Sequence, residues 1–386
     1  MGAEAGAGAM DTRAERVDVV IVGAGLSGIG AAWHLQQHCP GLAYQILEAR
    51  DAIGGTWDLF RYPGIRSDSD MHTLGYKFRP WRDGKAIADG PAIRAYVRDT
   101  AREGGIDRHI RFRQRLREAH WDSEAAEWRL LIDDAEAGSQ RELRTGFLLM
   151  CAGYYRYDRG HTPDYPGRDA YRGTFIHPQF WPEDLDYRGK RVVVIGSGAT
   201  AMTLVPALAG QAEDVVMLQR SPTWVMAGPR RDRIANALRW LLPARWAYAL
   251  TRWKNTALQQ WLYRRSRVAP GKMRAFLLRR VRKALGPDFD VERHFTPSYD
   301  PWDQRLCLVP DGDLFDALKG GRARVVTDTI ERFTEHGIRL ASGEELPADI
   351  IVSATGLEVE VLGGVAFRVD GEPVDFARTW TYKGIM

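Results

Sequence analysis

The sequence predicts an α/β fold with two Rossmann-like dinucleotide-binding domains and a basic helical insertion. Two stretches each follow the order strand, glycine-rich turn, helix and second strand, one turning at Gly23 and the other at Gly196. The turns lie too far apart along the chain to belong to one βαβ unit, so they describe two nucleotide sites. Between the second turn and the end of the chain, residues 230–285 hold 16 Lys or Arg and one acid, which predicts the insertion.

Length and composition set the outer limits of this prediction. At roughly 150 residues per domain, 386 residues predict two or three domains. No run of about 18 apolar residues occurs, so no membrane-spanning helix is expected. Residues 1–16 are small and polar and lack the apolar core of a signal peptide, which predicts a disordered extension.

The cysteines are sparse and isolated. Cys39, Cys151 and Cys307 form no CxxC pair. This pattern favours a reducing, cytoplasmic setting, and it argues against a dithiol redox enzyme, such as a two-nucleotide disulfide reductase, and against a metal site.

The first glycine unit runs from the buried strand pattern Val17–Val22 into a helix. Gly23 permits the tight turn, Gly25 lets the backbone approach a pyrophosphate, and Gly28 lets helix and strand pack closely. The helix N-terminus offers N–H groups and a partial positive charge to phosphates. A carboxylate about 20 residues after the last glycine reaches a ribose diol, and Glu48, at the end of the second strand, stands at that spacing from Gly28.

The segment after Glu48 contains Gly55, Thr56 and Trp57. Adjacent glycines before an aromatic residue suit a backbone that passes close to a flat cofactor, although an ordinary turn with a core tryptophan explains them as well. The next loop has no clear period and carries Asp68 among aromatic residues, which favours a site-lining loop.

The second glycine unit repeats the first with Gly196, Gly198 and Ala201. Its second strand is followed by Arg220 and Ser221 where the first unit has Glu48. A carboxylate repels a 2′-phosphate, whereas an arginine beside a hydroxyl accepts one. We therefore expect FAD in the first unit and NADPH in the second, the alternative for Arg220 being a surface arginine.

The segment between the two units carries a specific fingerprint. On chemistry alone His177, between aromatics and prolines, is a structural residue. However, Gly173, His177 and Trp181 match the pattern F-x-G-x-x-x-H-x-x-x-W-P, with Tyr171 in place of the phenylalanine. On this pattern and the two glycine turns, the chain resembles the flavin-dependent Baeyer–Villiger monooxygenases of the class B flavin-containing monooxygenase superfamily.

The resemblance implies an activity. FAD would be reduced by NADPH and react with O2 to give a peroxyflavin, which converts ketones to esters and oxygenates sulfides or thioamides. Arg305 takes the position of the family's active-site arginine, Asp68 that of the aspartate near it, and His177 that of a residue coupling the domains. The alternatives are a nitrogen or sulfur monooxygenase without ketone activity, and an inactive nucleotide-binding remnant, because relatives continue beyond the position of Met386.

Two interpretations of the basic insertion stay open. Four tryptophans, Trp240, Trp246, Trp253 and Trp261, alternate with its arginines. The segment is either a helical subdomain over the substrate site with solvated arginines, or a peripheral contact with an anionic membrane surface. Its charge alone also suits nucleic acid, but no reading motif accompanies it.

The expected domain bounds follow from these motifs. Residues 17–157 form the first part of the FAD domain, residues 158–356 the NADPH domain with its insertion at 228–300, and residues 357–386 the return to the FAD domain. Strands are expected in 119–133 and 141–152, and a hairpin in Val325–Leu340.

Overall fold

The computed structural model describes residues 15–384, with the two predicted α/β units in place. The strands of this range are β1 (Glu15–Val22), β2 (Tyr44–Leu47), β3 (Ile110–Arg111), β4 (Gln114–Asp122), β5 (Glu127–Asp134), β6 (Ser139–Met150), β7 (Tyr155–Gly160), β8 (Thr174–Ile176), β9 (Arg191–Ile195), β10 (Asp214–Gln219), β11 (Trp224–Gly228), β12 (Leu306–Pro310), β13 (Arg324–Thr327), β14 (Ile330–Thr334), β15 (Gly337–Leu340), β16 (Glu345–Pro347), β17 (Ile350–Ser353), β18 (Leu357–Val359), β19 (Ala366–Val369) and β20 (Glu372–Pro373).

Among the α-helices of the same range, one lies between β1 and β2 and one between β9 and β10, as the two glycine units predict. The α-helices are α1 (Leu26–His38), α2 (Thr56–Leu59), α3 (Met71–Leu74), α4 (Gly90–Glu103), α5 (Ala199–Leu208), α6 (Arg233–Leu241), α7 (Ala244–Val268), α8 (Pro270–Leu285), α9 (Val291–Phe295) and α10 (Asp313–Lys319).

The chain divides into two compact units. The first unit contains residues 15–58, 94–156 and 359–384 of the described range, and the second unit contains 59–93 and 157–358. The bounds near 157 and 357 lie close to the expected ones. Residues 59–93 differ, because they were expected in the FAD domain and belong to the second unit.

The first unit is built on an eight-stranded sheet in the order β20-β19-β4-β5-β6-β1-β2-β3. β1 pairs in parallel with β2 and β6, and the last four residues of β1 are buried. Central parallel strands are covered on both faces, so they read as continuous apolar runs such as the end of this strand. The core of this sheet includes Val20, Leu47, Leu130 and Leu143.

The second unit is built on a parallel five-stranded sheet in the order β13-β10-β9-β17-β8. A three-stranded antiparallel sheet, β14-β15-β16, adds Phe333, Ile338 and Leu346 to the same core as Val193 and Ile351. β11 and β12 form a separate parallel pair.

Two expectations about local structure are corrected. The predicted hairpin Val325–Leu340 is shorter, because Arg324–Thr327 forms the edge strand β13, parallel to β10, and only β14 and β15 form the hairpin. A pair of valines next to a turn suits either a hairpin strand or a strand of a parallel sheet. Here the residues pair with β10 at the edge of the parallel sheet. The expected extension 1–16 is also wrong for Glu15 and Arg16, which begin β1. Its other residues, 1–14, lie outside the described range.

The basic insertion is helical, as predicted. It comprises α6, α7 and α8 within the second unit. Within residues 15–384, none of the helices has the length and apolar character needed to cross a membrane.

Candidate functional site

The first glycine turn is closed by backbone contacts. Gly23 has φ +105° and donates its N–H to the Leu47 carbonyl at 2.7 Å. A Cβ on Gly23 would lie 2.5 Å from the Cys151 carbonyl oxygen, and one on Gly28 would lie 1.9 Å from the Gly23 oxygen. Larger residues do not fit at either position, as the sequence motif predicts.

The end of β2 places Glu48 directly behind this turn. The carboxylate is buried and accepts the Ala24 N–H at 2.7 Å and the Arg50 N–H at 2.9 Å. Burial raises the pKa of Glu48, and these two hydrogen bonds oppose the rise. A carboxylate offers about four acceptor sites, so acceptor capacity remains for a ribose diol.

Gly55, Thr56 and Trp57 lie beside the same turn. A Cβ on Gly25 would come within 3.6 Å of the Gly55 Cα, and Thr56 begins α2. Trp57 is partly buried, and its backbone N–H donates to the Gly54 carbonyl at 3.2 Å. The close approach of two glycine backbones agrees with a segment that borders a bound cofactor.

The second glycine turn repeats the geometry of the first. Gly196 has φ +134° and donates to the Leu218 carbonyl at 2.8 Å, and a Cβ there would lie 2.3 Å from the Ala354 oxygen. Ala201 is fully buried in α5, where the motif requires a small residue. The first glycine of each turn therefore contacts the end of the neighbouring parallel strand, Cys151 after β6 and Ala354 after β17.

Arg220 and Ser221 follow β10 as Glu48 follows β2. The Arg220 side chain is exposed. The Ser221 carbonyl accepts the Ser197 hydroxyl at 3.0 Å, which ties this segment to the second glycine turn. An exposed arginine beside the turn is available to a phosphate, as the prediction of NADPH requires.

Both units fit dinucleotides by the geometry of their own backbone. α1 begins after Gly25 and α5 after Gly198, and neither glycine supplies a side-chain cap. Glycine at both positions leaves each helix N-terminus open to a phosphate. Glu48 and Arg220 supply opposite charges at equivalent positions.

Arg305 lies at the second glycine turn. A Cβ on Gly198 would lie 2.7 Å from the Arg305 Nη1, so the guanidinium occupies the space that glycine leaves. The side chain is exposed and precedes β12. The structure thereby brings together two residues that the sequence predicted separately, a phosphate-turn glycine and an active-site arginine.

Asp68 is held by a fixed loop near Arg305. Arg66 forms an ion pair with Asp313 of α10, and the buried Ser67 Oγ accepts the Ala88 N–H at 3.2 Å. The charges of Asp68 and Arg305 both act on the Cys307 thiol. Within the described range Asp68 and Arg305 form no ion pair, and the role of Asp68 beside the active-site arginine stays a prediction.

Cys307 is buried beside these two charges and is a poor nucleophile. Burial raises the pKa of its thiol to about 11, because the effect of desolvation exceeds that of Arg305. A thiol with this pKa stays protonated near neutral pH. Thiol chemistry therefore does not compete with the chemistry of the two nucleotide units.

The fingerprint residues pack around His177. Its Nδ1 accepts the Gln179 N–H at 3.2 Å, so Nε2 carries the proton and donates to the Gly356 carbonyl at 2.9 Å. Burial lowers the pKa of His177, which keeps the imidazole neutral. Both nitrogens are thus used in structural hydrogen bonds, which supports a structural role rather than acid–base catalysis.

Gly173 and Trp181 support the same segment. A Cβ on Gly173 would lie 2.2 Å from the Tyr171 hydroxyl oxygen, and this hydroxyl donates to the Ala348 carbonyl at 3.1 Å. Trp181 is buried with its ring edge-on to Tyr187. The tyrosine that replaces the family's phenylalanine is therefore accommodated with its hydroxyl paired.

A buried cluster around Asp58 was missed by the sequence analysis. Asp58 is 1% exposed and is paired with Arg50 at 2.8 Å, Arg98 at 3.2 Å and Arg94 at 3.5 Å. The available signal was the aspartate directly after Trp57, together with two arginines one helical turn apart on α4.

Comparison with known families gives two matches. The flavin-binding monooxygenase-like family matches residues 86–285, and an NAD(P)-binding Rossmann-like domain matches residues 21–85. Together they cover both the first glycine unit and the segment that contains the fingerprint and the second unit.

Relatives and solved structures extend the comparison over nearly the whole chain. It is 54% identical to the FAD-containing monooxygenase EthA of Mycobacterium tuberculosis over 96% of this chain and 76% of that protein. It is 52% identical to the FAD-containing monooxygenase EthA of Mycolicibacterium smegmatis over 96% of this chain and 75% of that protein.

A steroid monooxygenase bound to NADP shares 26% identity, with a TM-score of 0.76 over 93% of this chain and 75% of that one. A cyclohexanone monooxygenase shares 22% identity, with a TM-score of 0.74 over 93% and 78%, and shows the same fold.

The fold, the two glycine turns and the comparisons agree with one another and with the resemblance seen in the sequence. The family match covers about half of the residues, and the relatives cover most of the chain at more than 50% identity. The chain belongs to the flavin-binding monooxygenase-like family.

Proposed function

We propose that the chain is an FAD- and NADPH-dependent monooxygenase that converts ketones to esters and also oxygenates sulfides or thioamides. In the ketone reaction, ketone, O2, NADPH and H⁺ give ester, NADP⁺ and H2O, so one oxygen atom enters a carbon–carbon bond and the other leaves as water. The observation that carries the proposal is the Arg305 guanidinium against Gly198 at the second nucleotide turn.

The first unit binds FAD and the second binds NADPH. In the first unit, Gly23, Gly25 and Gly28 form the phosphate turn for FAD, Glu48 holds the ribose, and Gly55 to Trp57 border the cofactor. In the second unit, Gly196, Gly198 and Ala201 form the corresponding turn for NADPH, and Arg220 with Ser221 takes the 2′-phosphate. Reduced flavin, when bound, supplies the activation of O2.

Arg305 supplies a permanent positive charge beside Gly198. A preorganised cation stabilises the negative charge that develops on an attacked carbonyl oxygen without reorganising during the reaction. Asp68, on a loop fixed by Arg66 and Ser67, orients this cation through its field.

The test compares Arg305→Ala with Arg332→Ala, a change at an exposed arginine of β14 in the same unit. The full chain is supplied with FAD, NADPH, O2 and a simple ketone, and both NADPH oxidation and ester are measured. We expect Arg305→Ala to bind FAD and oxidise NADPH but to lose ester formation by roughly a hundredfold or more. The Arg332 variant should match the unmodified chain.

The result separates this proposal from its alternatives. Full ester formation by Arg305→Ala would refute the role of this residue. Oxygenation of a dialkyl sulfide without any ester from ketones, in the unmodified chain, would identify a nitrogen or sulfur monooxygenase instead. Failure of the unmodified chain to retain FAD or consume NADPH would identify a nucleotide-binding remnant.

A further inference from the structure

The outer face of α7 is an apolar stripe that runs the length of the helix. Trp246, Leu250, Trp253, Trp261 and Val268 follow one another at spacings of one or two helical turns, so they share one face. They are 55%, 42%, 71%, 57% and 79% exposed. At about 150–250 Å² for a whole aromatic side chain, the three tryptophans alone expose roughly 300–450 Å².

The inner face of the same helix is polar and is attached to the second unit. Three of the four residues buried there are polar, Thr251, Asn255 and Ser266, and the fourth is the small Ala247. Asn255 donates to the Asp70 carboxylate at 2.9 Å, and Arg252 donates to the His72 carbonyl at 2.9 Å. The usual distribution of a surface helix, apolar inside and polar outside, is reversed.

The neighbouring helix α6 also exposes apolar side chains. It packs against α7 and exposes Ile234, Trp240 and Leu241, the tryptophan to 87%. Isolated exposed hydrophobic residues are normal, whereas contiguous apolar patches above a few hundred Å² mark interaction sites. We call α6 and α7 together the tryptophan surface.

Unpaired cations accompany the tryptophan surface. Arg233, Arg245, Arg264 and Arg265 on α6 and α7 have no carboxylate within ion-pair distance in the described part of the chain, and neither do Lys272, Arg279 and Lys283 on α8. Arg264 lies within the apolar stripe itself, a whole number of helical turns after Trp246. Residues 230–285 together carry a net charge of 16 − 1 = +15.

We propose that the tryptophan surface binds the face of an anionic lipid bilayer, with α7 lying in the plane of the headgroups. Tryptophan prefers the interface between headgroups and acyl chains, and the surrounding cations complement anionic lipids. A second copy of the chain is the less favourable occupant, because a two-fold contact places the same cations against each other.

The first test is co-sedimentation of the full chain with vesicles. Vesicles of phosphatidylcholine alone are compared with vesicles that contain equal parts of phosphatidylcholine and phosphatidylglycerol. We expect binding to the anionic vesicles at low salt, accompanied by a blue shift of tryptophan emission, and weaker binding as the salt concentration rises.

Two sets of variants separate the apolar and the electrostatic contributions. Trp246→Ser, Trp253→Ser and Trp261→Ser combined should abolish binding, whereas Trp380→Ser, at a tryptophan that is 98% exposed elsewhere, should leave it unchanged.

Arg245→Gln, Arg264→Gln and Arg265→Gln combined should weaken binding roughly a hundredfold, at about fivefold per cation near the membrane. Lys319→Gln, Arg322→Gln and Arg332→Gln, which remove the same charge from other exposed positions of the second unit, should have little effect.

Several outcomes would overturn the proposal. They are absence of binding to anionic vesicles at low salt, equal binding to neutral vesicles, and undiminished binding by the tryptophan variant. A lipid-free dimer that the tryptophan variant abolishes would identify a second copy as the occupant. Unchanged thermal midpoints of the variants show that a loss of binding is not a loss of folding, and none of these readouts depends on monooxygenase activity.

Discussion

Individual glycines in the two turns are required for different physical reasons. At Gly28 a Cβ would meet the Gly23 carbonyl oxygen at 1.9 Å, and this backbone atom cannot move without opening the turn. At Gly198 the nearest atom is the Arg305 Nη1, at the end of a flexible side chain. Gly28 is therefore required for the backbone turn itself, whereas Gly198 is required for the position of the Arg305 side chain.

Gly198→Ala should separate stability from function. Because the Arg305 guanidinium swings away more easily than the backbone moves, we expect the thermal midpoint to stay within about 2 °C of the unmodified chain. NADPH binding should weaken and ester formation should fall, because both the phosphate approach and the cation are displaced. Calorimetry and coupled product analysis measure the two effects.

Gly210→Ala is the matched control, since a Cβ there meets no atom within 4 Å. It should change neither property. Gly198→Ala is also made in a chain that already carries Arg305→Ala. If NADPH binding falls there by the same factor as in the unmodified chain, Gly198 acts on the nucleotide alone and not through Arg305.

The sequence predicted residues that belong to a contiguous motif and missed those that meet through the fold. The turn glycines and Glu48 are fixed by spacing along one βαβ unit, and the structure places them as expected. The partners Arg94 and Arg98 of Asp58 are 36 and 40 residues away along the chain, and no local period connects them. Gly198 and Arg305 are still further apart in sequence, so no local pattern predicts their contact either.

Among the elements, β9 and β17 are joined by one charged side chain. Asp349, just before β17, accepts the Arg191 backbone N–H at 2.9 Å and two guanidinium N–H groups at 2.7 and 3.2 Å. These bonds align the first residues of two parallel central strands of the second unit. They also lower the pKa of Asp349 to about 2, the arginine side-chain bond being the largest cause.

Asp349→Asn should remove a pH-dependent part of the stability. A carboxylate whose folded pKa is lowered contributes stability above its unfolded pKa of about 4, and this contribution is lost as the pH falls toward about 2. Because the pair is partly exposed, we expect a drop of about 2 °C in thermal midpoint at pH 6. The difference from the unmodified chain should shrink as the pH falls from about 4 to 2.

Asp186→Asn provides the comparison for this prediction. Asp186 also pairs with an arginine, but its partner Arg188 is a near neighbour in sequence and both are largely exposed. A local pair of this kind persists in the unfolded chain, so its loss should leave the midpoint unchanged. Equal effects of the two substitutions at pH 6 would refute the alignment of β9 and β17 by Asp349.

The element that sequence analysis misplaced shows what a local pattern lacks. Arg324–Thr327 and Ile330–Thr334 both contain β-branched residues and are separated by a short turn, which is typical of a hairpin. The first of them instead joins β10, because burial beside a parallel sheet covers both of its faces. Pairing partners of parallel strands are distant in sequence, so a hairpin is the arrangement that a local pattern favours.

At the scale of the whole molecule, the chain leaves the first unit after Asp58 and re-enters it at Arg94. The intervening residues 59–93 belong to the second unit and carry Asp68. Asp58 is also the centre of the arginine cluster, and two of its partners, Arg94 and Arg98, lie at the point of re-entry. One buried carboxylate thus holds the exit and the re-entry of the chain together.

Asp58→Asn should destabilise the first unit strongly. Removal of the charge leaves three guanidinium groups beside one another without their shared partner, which we expect to lower the free energy of unfolding by about 3 kcal/mol. Urea unfolding followed by intrinsic fluorescence measures this change. Asp99→Asn, at an exposed pair with Arg102 on α4, should change it by less than about 0.5 kcal/mol.

The arginine cluster around Asp58 also closes residues 59–93 into a loop of about 35 residues. Ordering a loop whose ends are already held together costs less conformational entropy than ordering a free chain of the same length. The loop is packed, since Met71 is fully buried and Arg66 pairs with Asp313. The charge cluster therefore lowers the entropic cost of placing the loop that carries Asp68.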